Sequence, residues 1–175
     1  MKIRLIRDED YAEVARLRRL TIRNVNAKDY SEDVIRDWSA KTGVRSFRES
    51  ADACKRWVAI EKDRVIGFCE HSFGCELSRI YVHKDHLRKG VGSRLLEVAE
   101  ASLKEQGCKE VMIESTVTAK DFYENNGYKV LEKAYYKGNT KEPIYKMSKE
   151  LSGIYSLPES EYSEISPVRK LQIID

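Results

Sequence analysis

Hydrophobic positions along this chain follow the helical period in some segments and the strict alternation of strands in others. The clearest helical stripe follows Gly90 and consists of Val91, Leu95, Val98, Ala99 and Leu103. We expect this helix to end at Gly107, because glycine readily adopts the left-handed conformation found at helix C-termini. Two segments rich in Val, Ile, Phe and Trp flank Lys62-Asp63 and predict a β-hairpin.

The remaining segments are assigned in the same way. In chain order we predict strands at residues 2–7, 56–61, 64–72, 76–83, 111–113, 130–136 and 144–148, and helices at 10–25, from 31 onward, after 90–92 and at 118–125. Residues 40–49 contain Gly43 and show no clear period, so they are expected to form a loop. A turn at Gly138-Asn139 is expected between the last two strands.

A strand, a helix and a strand follow one another between Glu76 and Ser115. Such a crossover joins parallel strands, whereas the hairpins on either side are antiparallel. We therefore expect an α/β (α+β) domain with a mixed sheet at residues 1–151. After Lys149 the composition changes to Ser, Pro, Glu and Tyr, so residues 152–175 are expected to form a tail, either docked or loosely ordered.

Composition narrows the class of protein. The 175 residues suffice for one domain with a core, and 35% charged residues predict a densely charged surface. The net charge of +3 argues against nucleic acid as the main partner. No apolar run approaches the roughly 18 residues of a membrane-spanning helix, and the charged N-terminus does not resemble a secretory signal.

The cysteines and histidines do not form a recognisable metal site. The four cysteines include no C-x-x-C pair, and the three histidines do not cluster with them at ligand spacing. No metal is therefore expected. We expect reduced, structural thiols in a cytoplasmic protein.

The segment 77–93 carries the most chemical information. A strand leads into a basic loop, which leads into a helix through Gly90 and Gly92. The first turn of a helix offers unpaired backbone N–H groups and a positive dipole end, and glycine lets an oxyanion approach them. Arg88 and Lys89 add positive charge. The segment is suited to bind a pyrophosphate, although the two glycines are also compatible with an ordinary helix start.

Two common phosphate-binding loops are excluded. A dinucleotide fingerprint requires a third glycine where this chain has Leu95. The nucleotide P-loop string G-x-x-x-x-G-K-[ST] does not occur.

The loop resembles the acetyl-CoA motif of the GNAT superfamily of N-acetyltransferases, [Q/R]-x-x-G-x-[G/A]. Gly90 and Gly92 occupy its glycine positions, and Leu87 replaces the usual Gln or Arg. A second segment, Ala119 to Tyr128, is similar to the family's A-x-x-F-Y-x-x-x-G-[F/Y] helix. Thr116 stands where the family often has asparagine. The resemblance covers about residues 1–150 and the two motifs occur in the family's order and spacing.

The resemblance implies a six- to seven-stranded mixed sheet, about four flanking helices and a central parallel strand pair that splays apart to admit acetyl-CoA. Backbone groups of the strand and the loop would bind the donor. The residues expected to bind the cofactor are Ile80, Tyr81, Val82, Leu87, Arg88, Lys89, Gly90, Val91, Gly92, Ser93, Thr116 and Tyr123.

Tyr123 is the expected general acid, by similarity to the family. A phenol can protonate the departing thiolate, because it is a donor with an ordinary pKa of about 10. The alternative interpretation is a core tyrosine that packs one face of a short helix.

The attacking amine must lose a proton, which a carboxylate accepts directly or through water. Glu76 is the first candidate for this base, because similar proteins often carry Glu at the start of this strand. Glu70, Glu114 and His71 are competitors, and a water chain without a dedicated base is another alternative.

The expected function is transfer of an acetyl group from acetyl-CoA to a small-molecule or peptide amine in a ternary complex. Three alternatives remain: an acyl-CoA-binding regulatory module without turnover, a transferase that uses a longer acyl donor, and a protein acetyltransferase acting on lysine or an N-terminus. A homodimer is possible for this fold. Aromatic residues that are expected to line an acceptor pocket are Tyr30, Trp38, Phe47, Tyr135 and Tyr136.

Overall fold

The computed structural model describes residues 1–135 and 143–151. Seven strands and five α-helices lie in these residues. The strands are β1 (Lys2–Leu5), β2 (Cys54–Glu61), β3 (Arg64–Ser72), β4 (Leu77–Val82), β5 (Glu110–Thr116), β6 (Lys129–Tyr135) and β7 (Pro143–Glu150). The helices are α1 (Tyr11–Asn24), α2 (Glu32–Ala40), α3 (Val44–Glu49), α4 (Val91–Glu105) and α5 (Val117–Asn125).

The strands form two antiparallel sheets that meet at one point. The first sheet has the order β1-β2-β3-β4 and the second the order β5-β7-β6. A single parallel bridge, Glu76 to Met112, joins β4 to β5. The Met112 N–H donates a hydrogen bond of 3.0 Å to the Cys75 carbonyl beside it. Beyond this vertex the two parallel strands separate, so the predicted mixed fold with a splayed central pair is confirmed.

The first sheet buries both of its faces, because helices cover each side. Trp57 and Cys69 face α4, whereas the alternating neighbours Val58 and Phe68 face α1 and α3. Helix α4 packs closely on β3 at Gly67. A Cβ there would lie 2.7 Å from Leu95 Cδ1, so only glycine permits this approach.

Residues 40–49 do not form the expected loop, because they contain α3. The periodicity of a six-residue helix is too short to recognise, and tertiary contacts hold this one in place. Phe47 is buried against the rings of Tyr11 and Phe68, at centroid distances of 6.2 and 5.6 Å. Its carbonyl accepts a hydrogen bond of 2.8 Å from Arg56.

The expectation of four reduced thiols is wrong for two of the cysteines. Cys75 and Cys108 form a disulfide across 33 residues of sequence. The crossover brings the end of α4 back to the start of β4, which the linear spacing does not reveal. Cys54 and Cys69 are free thiols, and Cys69 is fully buried.

Three sequence expectations fall outside the described residues. They concern the turn at Gly138-Asn139, the side chain of Tyr136 and the tail at 152–175.

Candidate active site

The loop between β4 and α4 has an irregular but well-connected backbone. Arg88 and Gly90 both have positive φ angles, 57° and 78°. Lys89 Nζ donates a hydrogen bond of 2.8 Å to the Asp85 carbonyl and so holds the loop together. A Cβ at Gly90 would meet nothing within 4 Å, so backbone conformation, not crowding, favours glycine here.

Gly92 brings the two family-like motifs into contact. A Cβ at this position would lie 3.1 Å from Phe122 Cε2, and Phe122 belongs to the second motif. The hydrogen-bond ladder of α4 begins with Arg94 N–H donating to Gly90 O at 3.0 Å. The N–H groups of Val91, Gly92 and Ser93 therefore precede the ladder, as expected for an anion-binding first turn.

The loop surface is positively charged. Arg88 and Lys89 are exposed, and Leu87 between β4 and these cations is 38% exposed. Arg94 is engaged with Glu97 at 2.8 Å. Arg88, Lys89 and the positive end of the α4 dipole therefore place positive charge at the loop, which suits a ligand carrying phosphate groups.

The end of β4 is paired on one edge only. Ile80, Tyr81 and Val82 lie opposite Cys69, Phe68 and Gly67 of β3. On the other edge β5 has already diverged, and Thr116 marks the end of that strand. The gap between β4 and β5 can therefore accept an extended ligand that pairs with β4 as a further strand would.

Tyr123 lies on α5 and is 6% exposed. Its ring packs against those of Phe122 and Tyr128 at centroid distances of 5.0 and 5.4 Å. Burial raises the pKa of this phenol well above its ordinary value, with smaller electrostatic contributions from Tyr81 and Cys69. Tyr123 is thus a core residue and also a neutral phenol beside β3 and β4, able to donate its proton.

The carboxylates considered as bases differ sharply in environment. Glu76 is exposed at the vertex of the splay, and Glu114 is exposed on β5. Glu70 is fully buried and accepts hydrogen bonds from Arg56 at 2.5 Å and from Arg79. Both carboxylate oxygens of Glu70 accept hydrogen bonds from guanidinium groups, so Glu70 belongs to a structural ion-pair network. It is therefore a poor candidate for the base that deprotonates the amine.

The surroundings of His71 also make it a poor candidate for the general base. It is fully buried, with Nε2 3.1 Å from Ser102 Oγ on α4 and Nδ1 2.8 Å from the Ser72 carbonyl. Nδ1 must donate to that carbonyl, so Nε2 accepts from the serine. Burial lowers the pKa of His71 below its ordinary value.

This burial makes stability depend on pH. Because the folded-state pKa of His71 lies below the unfolded value of about 6.5, the unfolded chain binds the proton more readily. The free energy of unfolding should therefore fall as the pH drops below about 6.5. Thermal unfolding of the wild type and His71→Gln from pH 8 to pH 5 measures this. His86→Gln, at a half-buried loop histidine, is the control; equal pH dependence in all three proteins would contradict the assignment.

One side of the gap between β4 and β5 is closed by contacts that the sequence does not predict. Thr21 Oγ1 on α1 donates a hydrogen bond of 3.3 Å to the Val82 carbonyl at the end of β4. The Tyr30 hydroxyl accepts a hydrogen bond of 2.8 Å from the Val117 N–H at the start of α5. Helix α1 therefore contacts one arm of the splay, and the segment that joins α1 to α2 contacts the other. These partners are separated by 61 and 87 residues, so no local pattern reveals them.

The proposed acceptor-pocket aromatics do not form one group. Phe47 is a core residue, the Tyr30 and Trp38 rings contact each other at a tilt with centroids 4.8 Å apart, and Tyr135 is exposed on β6. They lie on different elements of the fold.

Two absences hold for residues 1–135 and 143–151. No cluster of three His, Cys, Asp or Glu side chains is arranged to hold a metal ion. None of the helices there combines the length and the apolar character that crossing a bilayer requires.

Comparison with known proteins identifies the fold. A crystal structure of a GCN5-related N-acetyltransferase from Rhodopseudomonas palustris superposes with a TM-score of 0.79 at 22% identity, covering 86% of this chain and 95% of that chain. The PaiA N-acetyltransferase of Thermoplasma acidophilum, solved with coenzyme A, gives 0.67 at 23% identity, covering 86% and 99%.

Sequence comparison agrees. An uncharacterized N-acetyltransferase of Chlorobaculum tepidum is 36% identical over 84 residues, which span 46% of this chain and only 53% of that protein's length. The family model of the acetyltransferase (GNAT) domain matches residues 26–151. This match includes both motifs and confirms the resemblance noted from them: the chain belongs to the GNAT acetyltransferase family.

Proposed function

We propose that this protein transfers the acetyl group of acetyl-CoA to a primary amine by direct attack in a ternary complex. The observation that carries the proposal is the continuous path from the one-sided edge of β4 into the first turn of α4. This path offers backbone pairing for an extended arm and N–H groups for phosphates.

Each part of the path has a role in binding the donor. Backbone groups of Ile80, Tyr81 and Val82 hold the pantetheine arm, and Val91, Gly92 and Ser93 present N–H groups to the pyrophosphate. Leu87, Arg88, Lys89 and Gly90 form the rim of the phosphate site, and Thr116 borders the arm from β5. Acetyl-CoA supplies an activated acyl group when it is bound there.

The chemistry then requires two proton movements. The amine nitrogen forms a bond to the carbonyl carbon, while an N–H group of β4 stabilises charge on the carbonyl oxygen. The carbon–sulfur bond breaks, and Tyr123 donates its proton to the leaving sulfur. The proton lost by the amine passes to Glu76, directly or through water. Exposure of Glu76 at the vertex permits this route.

Thermal unfolding with acetyl-CoA, NAD or ATP at equal concentration tests donor binding. A ligand at one hundred times its Kd stabilises the folded state by about 2.7 kcal/mol, or roughly 5–10 °C for a domain of this size. We expect that rise with acetyl-CoA alone. Absence of a rise at millimolar acetyl-CoA would contradict the proposal.

A matched pair of variants locates the site. Arg88→Glu should weaken acetyl-CoA binding about tenfold by placing a negative charge at the phosphates. Lys62→Glu is the control, because Lys62 is also an exposed cation with a positive φ but lies in the β2–β3 turn. Equal affinity of the two variants for acetyl-CoA would show that acetyl-CoA binds elsewhere on the protein.

Turnover distinguishes an acetyltransferase from an acyl-CoA-binding module. We would measure it as the release of free CoA in the presence of a panel of small amines and of lysine peptides. Donor binding without CoA release from any acceptor would favour the module without turnover. Release with peptides alone would favour a protein acetyltransferase.

We propose a cytoplasmic location, since the donor is an intracellular metabolite. The Cys75–Cys108 disulfide is unusual for a reducing compartment. Alkylation of free thiols in intact cells, followed by mass spectrometry, measures how much of this pair is oxidised there. Complete oxidation would argue for an oxidising compartment instead.

A further inference from the structure

A groove runs between α1 and α2 on the outside of the molecule. Its volume is about 610 Å³, and its walls include Arg19 and Arg23 of α1 and Arg36 and Ser39 of α2. Arg19 and Arg23 each stand two positions from Thr21, so they project about 200° around the helix from it. Since Thr21 contacts β4, these two arginines face away from the acetyl-transfer gap, whereas Tyr30 borders the groove and contacts Val117 at the start of α5 through its hydroxyl.

The groove carries a net positive charge. Arg19, Arg23 and Arg36 are exposed guanidiniums, and Glu32 is the acidic residue on its wall. Arg19 Nη1 donates a hydrogen bond of 3.3 Å to the Thr42 carbonyl, which holds this side chain along the groove. Arg36 pairs with the exposed Asp33. An exposed surface pair of this kind contributes little stability, so an anion in the groove can compete for Arg36.

Ser39 provides a second, independent observation. It lines the groove and is 6% exposed, and its hydroxyl is buried with no hydrogen-bond partner among the described residues. Buried hydroxyls are nearly always paired, so an orphaned one calls for a partner.

We propose that the groove binds a small phosphorylated metabolite through its phosphate monoester. A phosphate monoester carries a charge of about −1.5 to −2 and three acceptor oxygens, which matches several guanidiniums and a hydroxyl. A carboxylate offers one charge and two oxygens, so it would leave part of this donor set unused. The groove is larger than a phosphate group, which leaves room for the organic part of the ligand.

This site is distinct from the phosphate site proposed at α4, because it lies on α1 and α2. The inference therefore concerns a second ligand and does not rest on the proposed acetyl transfer. Binding measured with and without saturating CoA keeps the two sites apart.

Isothermal titration calorimetry at constant ionic strength tests the proposal, with inorganic phosphate, glucose 6-phosphate, glucose and sulfate as probes. We expect saturable binding of glucose 6-phosphate and of phosphate, unchanged by CoA, and none of glucose. Arg23→Gln and Ser39→Ala should each weaken glucose 6-phosphate binding at least about fivefold. Arg16→Gln, at an exposed arginine of α1 outside the groove, should leave it unchanged.

Several results would overturn the proposal. One is no saturable binding of either phosphate probe to the wild type. Equal affinity for sulfate and glucose 6-phosphate would indicate a general anion surface instead of a phosphate-ester site. Equal loss in Arg16→Gln and Arg23→Gln would show that overall charge, not the groove, is responsible. Arg23 is exposed, so its variant should unfold at the wild-type temperature.

Discussion

Replacing Tyr123 with phenylalanine should lower kcat for acetyl transfer about 100-fold, while the unfolding temperature and the affinity for CoA change little. The variant keeps the ring and therefore its packing against Phe122 and Tyr128. It loses only the hydroxyl whose proton neutralises the departing thiolate. Because burial raises the pKa of this phenol, the proton is present throughout the neutral range.

Tyr128→Phe is the matched control. Tyr128 is a buried tyrosine of the same aromatic cluster, so the same atom is removed from the same kind of environment. We expect near-normal kcat from this variant. Measurement of kcat between pH 6 and pH 9 for both variants distinguishes an acid from a packing residue. A kcat for Tyr123→Phe equal to that of Tyr128→Phe would remove Tyr123 from the mechanism.

The features that the sequence predicted well are encoded locally. The apolar stripe of α4 and the glycines at its start specify a helix with an open first turn, whatever the rest of the chain does. The crossover from β4 through α4 to β5 predicts parallel neighbours, and the bridge from Glu76 to Met112 is the remnant of that pairing. Gly92 and Phe122 belong to separate motifs in the sequence, and the fold packs them together.

The features that the sequence did not predict depend on distant contacts. Helix α3 forms because Phe47 fits between Tyr11 and Phe68, not because of its own period. Its position also depends on Arg56, which pairs with Glu70 across the hairpin. The Arg56–Glu70 pair is predictable in principle from the sequence. Both charged residues interrupt apolar strands, and they lie opposite one another in the register of the hairpin. Charged residues at inward positions of a strand indicate an internal ion pair.

The disulfide is the second feature for which a large effect is expected. Reduction of Cys75–Cys108 should lower the free energy of unfolding by about 4 kcal/mol, because the unfolded chain regains the entropy of a loop that spans 33 residues. For a chain of this length the unfolding temperature should fall by about 10 °C. Thermal unfolding with and without a reductant measures the change.

Variants separate this bond from other effects of reduction. Cys108→Ser should unfold at the temperature of the reduced wild type and should not respond further to reductant. Cys54→Ser, at a free and half-buried cysteine, should keep the wild-type response. The hydrogen bond from Met112 to the Cys75 carbonyl does not involve the sulfur atoms, so we expect the vertex of the splay to persist after reduction and CoA still to bind. An unfolding temperature that is insensitive to reductant would show that the chain topology, not this bond, holds β4 and β5 together.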